Sequence, residues 1–418
     1  MTDAQVQVRD EVRQWLDEWW DPDRPLFEWR TILADSGWAA PTWPREFYGR
    51  GLSGADAGVV AEEFARVGAV GAATGSGMAL AAPTILAHAS DELKTRLLRG
   101  ILTGEDKWCQ LFSEPGNGSD LAGLTTKAVQ DGDEWVVNGQ KVWNTGAHHA
   151  KYGMLLARTD WDVPKHRGIT YFALPMEQPG VEVRPLKQAN GHASFNEVFM
   201  SDARVADADR ISDVGGGWAA ALTTLSHERG LAAHAQVRPA PPDAGRTARE
   251  AAEEAAEYAK TYVWYPQRAG RADLIVPQAT ATGTADDPVV RQEVVQAMTV
   301  ARVSRWNVER SMIARRQGRP PGPEGSLAKL SGSNIGRASA HVHARMVGAH
   351  GMLSGPDSPL DGVIAEIIVS VPAGSIAGGT DEIQHNIIGE RVLGLPKEPS
   401  VDADIPFREV RTNANRRT

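Results

Sequence analysis

Three short segments of the chain carry residue types that could do chemistry. In QLFSEPGNGSD (110–120) a strand runs into Glu114-Pro115 and then into a turn whose glycines bare backbone N–H groups beside the Ser113 and Ser119 hydroxyls. Such a turn can bond an acceptor-rich ring or a phosphate, or it can be a decorated β-turn. NGQKVWNTGAHH (138–149) sets Trp143 and Thr145 two apart, so on a strand they face one side together. An indole and a hydroxyl so paired can stack on and bond a planar cofactor; a core Trp beside a surface Thr is the plainer alternative. IAGGTDEIQHNIIGER (376–391) puts Gly378, Gly379 and Thr380 ahead of a helix with Asp381 and Glu382 in its first turn. Thr380 is then an N-cap, or the glycines let a ligand approach the backbone closely.

Other chemistries fall away. His341 and His343, at spacing two, point to different sides of a helix, and no Cys/His cluster is present, so no metal site is expected. There is no GxSxG elbow and no Walker loop, and GNGSD lacks the third glycine and the βαβ context of a dinucleotide fold. With 44 Lys and Arg against 53 Asp and Glu, the net charge of −9 argues against nucleic acid. The lone Cys109 excludes an internal disulfide and points to a reducing compartment. The charged, amphipathic N-terminus has no apolar signal core, and no apolar run approaches the roughly 18 residues of a membrane span. A soluble, cytoplasmic protein is expected.

The elements that must position these segments follow from texture. Val8, Val12, Trp15 and Trp19 recur at helical spacing, and further helices are expected to end at Ser36-Gly37 and over Asp56 to Val67, Met78 to Ala89 and Asp91 to Leu102. From Trp108 the chain breaks into short β-rich runs, and QDGDEWVVNGQKVW carries Asp-Gly and Asn-Gly turn signals flanking a strand. Helical texture returns at Gly217, is broken by the prolines of VRPAPPDAGR and resumes in TAREAAEEAAEYAKTY. Val263 to Asp287 reads as a loop-like surface insertion. A long helix starts at Pro288 with Val290, Val294, Ala297 and Ala301 on one face. Two more are expected over Ser326 to Val347 and Thr380 to Leu393.

Together the E-P-G-x-G-S-D turn, the N-G-x-K-x-W run and the G-T-x-E-I-Q segment resemble the acyl-CoA dehydrogenase family, over nearly the whole chain to about Pro399. The resemblance implies an α+β fold. An N-terminal helical domain (1–107) and a C-terminal helical bundle (216–399, with 263–287 as the insertion) surround a small β-domain (108–215), and a tail covers 400–418. It also implies FAD bound without a dinucleotide fold. Phe112, Ser113, Gly118, Ser119, Trp143 and Thr145 fall at positions that contact the flavin or, for Ser119, the CoA arm. Arg345, Gly348, Thr380 and Glu382 fall at positions toward the rest of the cofactor.

Many members carry a glutamate before the Gly-Thr pair; here that position is Gly378, which leaves only a backbone N–H to polarise the thioester carbonyl. The isovaleryl- and long-chain-type enzymes set the base before an arginine on a helix, and TTLSHERGLAAH matches with Glu228 before Arg229. Ser119, Ser226 and Arg229 are the implied substrate contacts. The implied reaction is α,β-dehydrogenation of an acyl-CoA to the trans-2-enoyl-CoA, with electrons passed to an electron-transfer flavoprotein. Tyr262 stands where the family has an arginine (Arg268 or Arg271 being substitutes) and Arg345 where it has a glutamine. These departures point to a heteromeric enzyme acting on bulky substrates such as steroid side chains. A mainly structural partner subunit and an oxygen-using flavoenzyme are the competing readings.

Overall fold

A computed structural model describes residues 2–228, 240–241, 243–316, 322–323 and 325–411. Its contacts divide the chain into two units, 1–186 with 194–261 and 401–418, and 187–193 with 262–400.

The first unit opens with five helices, α1 (Asp3–Trp19), α2 (Leu26–Ser36), α3 (Gly54–Val67), α4 (Ala82–His88) and α5 (Asp91–Thr103). Their ends are chemically marked: the Ser53 and Ser90 hydroxyls cap α3 and α5, and Gly37, Gly68 and Gly104 close helices in the left-handed conformation that glycine adopts without strain. Helix α1 buries Val8, Val12 and Leu16 against Trp29 and Leu33 of α2, while Trp19 is exposed. Seven strands follow: β1 (Trp108–Leu111), β2 (Lys127–Asp131), β3 (Glu134–Thr145), β4 (Tyr152–Arg158), β5 (Ile169–Pro175), β6 (Val181–Leu186) and β7 (Phe195–Ala206). They form one sheet in the order β1-β4-β2-β3-β7-β6, with β5 beside β4. Helix α6 (Gly217–Glu228) shares a core with α4, α5 and one face of this sheet, through Ile85, Leu98, Trp108, Met154, Tyr171, Ala220 and Ala221. Cys109, Leu155, Phe172 and Val198 lie in a second core on the sheet. Helix α7 (Arg246–Lys260) docks on α2, where Glu254 pairs with the buried Arg30 at 2.6 Å and Glu250 accepts from Leu26 N–H at 2.8 Å.

The Asp-Gly signal is a two-residue hairpin, with Asp131 opposite Glu134. The Asn-Gly signal is not a turn. Asn138 and Gly139 lie inside the continuous twelve-residue β3, because a Cβ on Gly139 would stand 2.4 Å from Thr126 Oγ1, and the glycine serves this close approach.

The second unit holds α8 (Tyr265–Arg268), α9 (Ile275–Ala281), α10 (Pro288–Arg316), α11 (Gly325–Val347), α12 (Val363–Ser370) and α13 (Asp381–Ile387). Ile275 and Ala279 of α9 pack with Val290, Ala297, Val342 and Met346. The stretch 263–287 is therefore not a surface loop: it forms short helices and buries Trp264, Ile275 and Ala279. Within the C-terminal tail, Phe407 is fully buried in the first unit. No helix among the described residues is long and apolar enough to cross a membrane. Residues 237–239 and 242 of VRPAPPDAGR lie outside the described residues.

Candidate active site

The turn at Glu114 is locked from beneath. Strand β1 ends at Leu111, and Glu114 and Asn117 exchange backbone hydrogen bonds of 3.1 Å, closing a tight turn over Pro115-Gly116. The Glu114 carboxylate points inward, where it accepts from Thr125 N–H (2.7 Å), Thr125 Oγ1 (2.9 Å), Thr126 N–H (2.8 Å) and Lys141 Nζ (2.9 Å). Burial alone would raise its pKa, but the Lys141 charge and these donors outweigh burial and hold it at about 2. Lys141, with none of its side chain exposed, also donates to Phe112 O at 3.0 Å. The Phe112 ring is spent in the core, edge-on to Tyr171 at 5.7 Å, so only its backbone faces the turn. Gly118 and Ser119 are exposed above this buried pair.

Trp143 and Thr145 reach one side by a device that period-two spacing does not contain. Strict alternation from the buried Trp135, Val137 and Lys141 would carry both to the buried side. In β3, however, Lys141 pairs with Val198 and Asn144 with Asn196, so Val142 and Trp143 together oppose Glu197 in a β-bulge. The extra residue shifts the phase: Asn144 is buried, and Trp143 is 56% exposed with φ of 65°. A left-handed Trp costs about 1–3 kcal/mol, and strain of this kind clusters at functional sites. The indole leans edge-on against Phe195 at 5.8 Å, leaving its outer face open.

Glu228, the last residue of α6, is half-buried and accepts from Gln110 Nε2 at 3.2 Å. The Gln110 carbonyl in turn accepts from Asn144 Nδ2 at 2.7 Å, so a hydrogen-bonded chain runs from Glu228 through β1 to the residue between Trp143 and Thr145. The rotation of α6 is fixed one turn earlier, where buried Thr224 meets Thr84 Oγ1 at 2.8 Å and Tyr171 OH at 3.1 Å. Ser226 is exposed and bonds its own helix at Thr223 O (2.7 Å). Arg229 lies outside the described residues.

In the second unit Gly378 and Gly379 have φ of 70° and 83°, where side chains are strained. A Cβ on Gly379 would meet Gln384 Nε2 at 2.7 Å, whereas one on Gly378 would enter open space. Gln384 is buried and donates to the carbonyls of both glycines. Thr380 caps α13 through Ile383 N–H (3.3 Å), and Glu382 is exposed in its first turn. Buried Asp381 pairs with Lys329 (2.9 Å) and Arg337 (2.7 Å). Burial would raise its pKa; the hydrogen bonds from Lys329, Ser333 and Ser375 prevail and hold it at about 2. Arg345 of α11 is engaged by Glu293 of α10 at 2.7 Å, and Gly348, with φ of 57°, opens the turn after α11. Arg271 pairs with Asp273 at 2.7 Å, and Arg268 lies over the Tyr265 ring at 5.0 Å.

Within the first unit the structure thus gathers the Glu114 turn, Trp143, Thr145 and Glu228. Three residues the sequence did not single out bind them together: Lys141, Gln110 and Asn144. Lys141 had a signal, a lysine in phase with buried strand positions, which requires a buried acid. Gln110 and Asn144 had none. Cys109 is sealed in the core, its thiol pushed up to about 12 by burial, and takes no part. Among the described residues no group of three His, Cys, Asp or Glu could hold a metal.

Three family profiles match in series: acyl-CoA dehydrogenase N-terminal domain over residues 2–105, middle domain over 109–203 and C-terminal domain over 215–393. The chain is 36% identical over 371 residues to acyl-CoA dehydrogenase IpdE1 of Mycobacterium tuberculosis, covering 88% of each chain. To acyl-CoA dehydrogenase FadE34 of the same organism it is also 36% identical, over 88% of this chain and 46% of that one. Among solved structures it is similar to the Tcur3481-Tcur3483 steroid ACAD, with 25% identity and a TM-score of 0.63, over 95% of this chain and 99% of that one. The ChsE4-ChsE5 complex from Mycobacterium tuberculosis gives 27% identity and 0.62, over 95% and 99%.

Proposed function

The chain belongs to the acyl-CoA dehydrogenase family, and we propose that it converts an acyl-CoA thioester to the trans-2-enoyl-CoA with FAD as cofactor and Glu228 as base. The observation that carries this reading is the hydrogen-bonded chain Glu228–Gln110–Asn144, which ties a half-buried carboxylate to the strand carrying Trp143 and Thr145. Family members bind FAD, and the residues present suit it. The strained, open-faced Trp143 offers an indole for a planar ring, and Thr145 on the same strand offers a hydroxyl; Ser113, whose carbonyl accepts from Val142 N–H at 2.9 Å, and Gly118 are assigned the remaining hydrogen bonds. The chemistry FAD supplies when bound is acceptance of the β-hydrogen with its electron pair, the electrons passing on to an electron-transfer flavoprotein.

The chain's own residues do the rest. Glu228 takes the α-hydrogen as a proton on a carboxylate oxygen, and Gln110 Nε2 holds the carboxylate in place. Gly378 N–H is the donor assigned to the thioester oxygen, where negative charge develops. At its φ of 70° a side chain there would be strained, though a Cβ would meet no neighbour. Ser119, exposed above the locked turn, takes the CoA arm; Ser226 and Arg229 complete the substrate contacts, and Arg345, Gly348, Thr380 and Glu382 the cofactor's far end.

Glu228→Gln should retain the flavin absorbance while losing about 10²–10⁴-fold in kcat. Full turnover by that variant removes the base assignment, and a colourless wild-type protein removes FAD.

A second observation bears on assembly. Helix α10 is apolar on two sides: Val290 and Ala297 face the core, while Val295, Trp306 and Ile313 recur on the opposite side and are exposed. Such a stripe belongs to a subunit interface, and with Tyr262 and Arg345 at the departures from the family it favours a heteromeric enzyme for a bulky acyl group. Trp306→Glu should dissociate the oligomer, read as mass by light scattering; an unchanged mass rejects that interface.

A further inference from the structure

Residues 401–410 lie beyond the matched C-terminal profile, which ends at 393, yet they are built into the first unit. Phe407 N–H donates to Val163 O (2.9 Å) and Arg408 N–H to Trp161 O (3.0 Å), so the segment adds itself to the β4–β5 loop by two main-chain bonds. Arg408 also pairs with Asp162. The fully buried Phe407 ring lies 5.3 Å from Trp161 and covers the Arg158 guanidinium, 3.4 Å from its centroid.

Arg158 connects this segment to the Glu114 turn. Its three nitrogens donate to Leu124 O (3.1 Å), Ala122 O (2.6 Å) and Lys165 O (3.1 Å), all carbonyls of the loop after GNGSD or of the β4–β5 loop. A buried guanidinium bonded to carbonyls needs its remaining face covered by something polarisable, and an aromatic face does this while keeping water from competing for the N–H groups. Burial accordingly lowers the Arg158 pKa to about 10. A second tie runs in parallel: Lys165 Nζ bridges Asp402 of the segment (2.9 Å) and Asp120, which ends GNGSD (3.2 Å). The loop between is wound tightly enough that a Cβ on Gly123 would stand 2.8 Å from both Asn117 and Asp120 side-chain oxygens.

We propose that residues 401–410 form a strap that positions the Gly118–Leu124 loop, with Phe407 and Asp402 as positioning residues for binding of the CoA arm. The inference rests on the proposed function in one respect, namely what the loop binds. The strap acts through Arg158 and Lys165, and neither Phe407 nor Asp402 touches the ligand.

The test uses the full-length chain and two readouts: hydrogen–deuterium exchange of peptides covering 116–124, and binding of free coenzyme A by titration calorimetry. Phe407→Ala should speed exchange in that loop and weaken coenzyme A on the order of tenfold; Phe407→Tyr, which keeps the ring, should restore both. Should Phe407→Ala fail to fold, Asp402→Asn removes only the parallel tie and should shift both readouts the same way, by about twofold in affinity. Unchanged loop exchange in a folded variant overturns the strap, and faster exchange with undiminished coenzyme A affinity overturns its positioning role. A wild-type chain that does not bind coenzyme A, but whose loop loosens in Phe407→Ala, upholds the strap and rejects the reading of what the loop binds.

Discussion

The two glycine-rich turns, one in each unit, are built on the same plan with unequal security. Each bares backbone at glycines and each sits on a buried carboxylate held near a pKa of 2, Glu114 under GNGSD and Asp381 after Gly378-Gly379. Glu114 has one ion-pair partner among the described residues, Lys141, with no exposed side chain, and takes its remaining bonds from fixed neighbouring groups, while the Arg158 charge acts on it without contact. Asp381 shares two cations, and one of them, Arg337, is 52% exposed. The first arrangement is brittle, because Arg158, the other cation coupled to Glu114, has its nitrogens committed to the carbonyls of Leu124, Ala122 and Lys165. The second is redundant, and water can stand in for a lost partner. Burial lowers the Lys141 pKa even beside Glu114, so the lysine is held at a cost that only the carboxylate repays.

The sharpest way to break the comparison is Lys141→Met. It leaves Glu114 buried and uncompensated, and removing one partner of such a pair costs about 3–5 kcal/mol. Urea unfolding should show that loss, and adding Glu114→Met should recover only part of it, because the buried charge is gone but Thr125 N–H and Thr126 N–H lose their acceptor. A loss below about 1 kcal/mol would mean that water enters beneath the turn and that the two turns are alike after all.

This asymmetry was only half legible in the sequence. The α–β–α order, the Asp-Gly hairpin and the capped helix ends were readable because each depends on neighbours a few residues apart. The three motif segments were readable as candidates, and Trp143 and Thr145 do share a side. The reason is tertiary: a bulge set by pairing with β7 supplies the phase that alternation alone would have given wrongly. Gly139 read as a turn because its true partner, Thr126, is a contact of the folded sheet. The stretch 263–287 looked like a loop because its helices are short and its apolar residues sparse, yet Ile275 and Ala279 are completed by residues of α10 and α11. The segment after Pro399 carried no periodic pattern; it is ordered by one aromatic ring and a guanidinium more than two hundred residues earlier.

A smaller effect separates the turns by pH. Both carboxyls are depressed from ordinary values of 4.5 and 3.8 to about 2. Their contribution is therefore complete above the unfolded values and is lost as pH falls from about 4.5 toward 2. For the well-buried Glu114 this amounts to roughly 3 kcal/mol. In Lys141→Met the Glu114 carboxyl loses the largest of the effects that depress its pKa and keeps its Thr125 and Thr126 donors, so the acid-dependent part of unfolding that it supplies should shrink. Arg337→Gln should behave differently. Lys329 still holds Asp381 at 2.9 Å, and the lost cation is half solvated, so stability at neutral pH should fall by no more than about 1 kcal/mol and the acid transition should persist, displaced slightly upward. Melting curves of both variants between pH 2 and 7 measure this. If Arg337→Gln shrank the acid transition as much as Lys141→Met, Asp381 would depend on one cation as Glu114 does, and redundancy would not be what distinguishes the second turn.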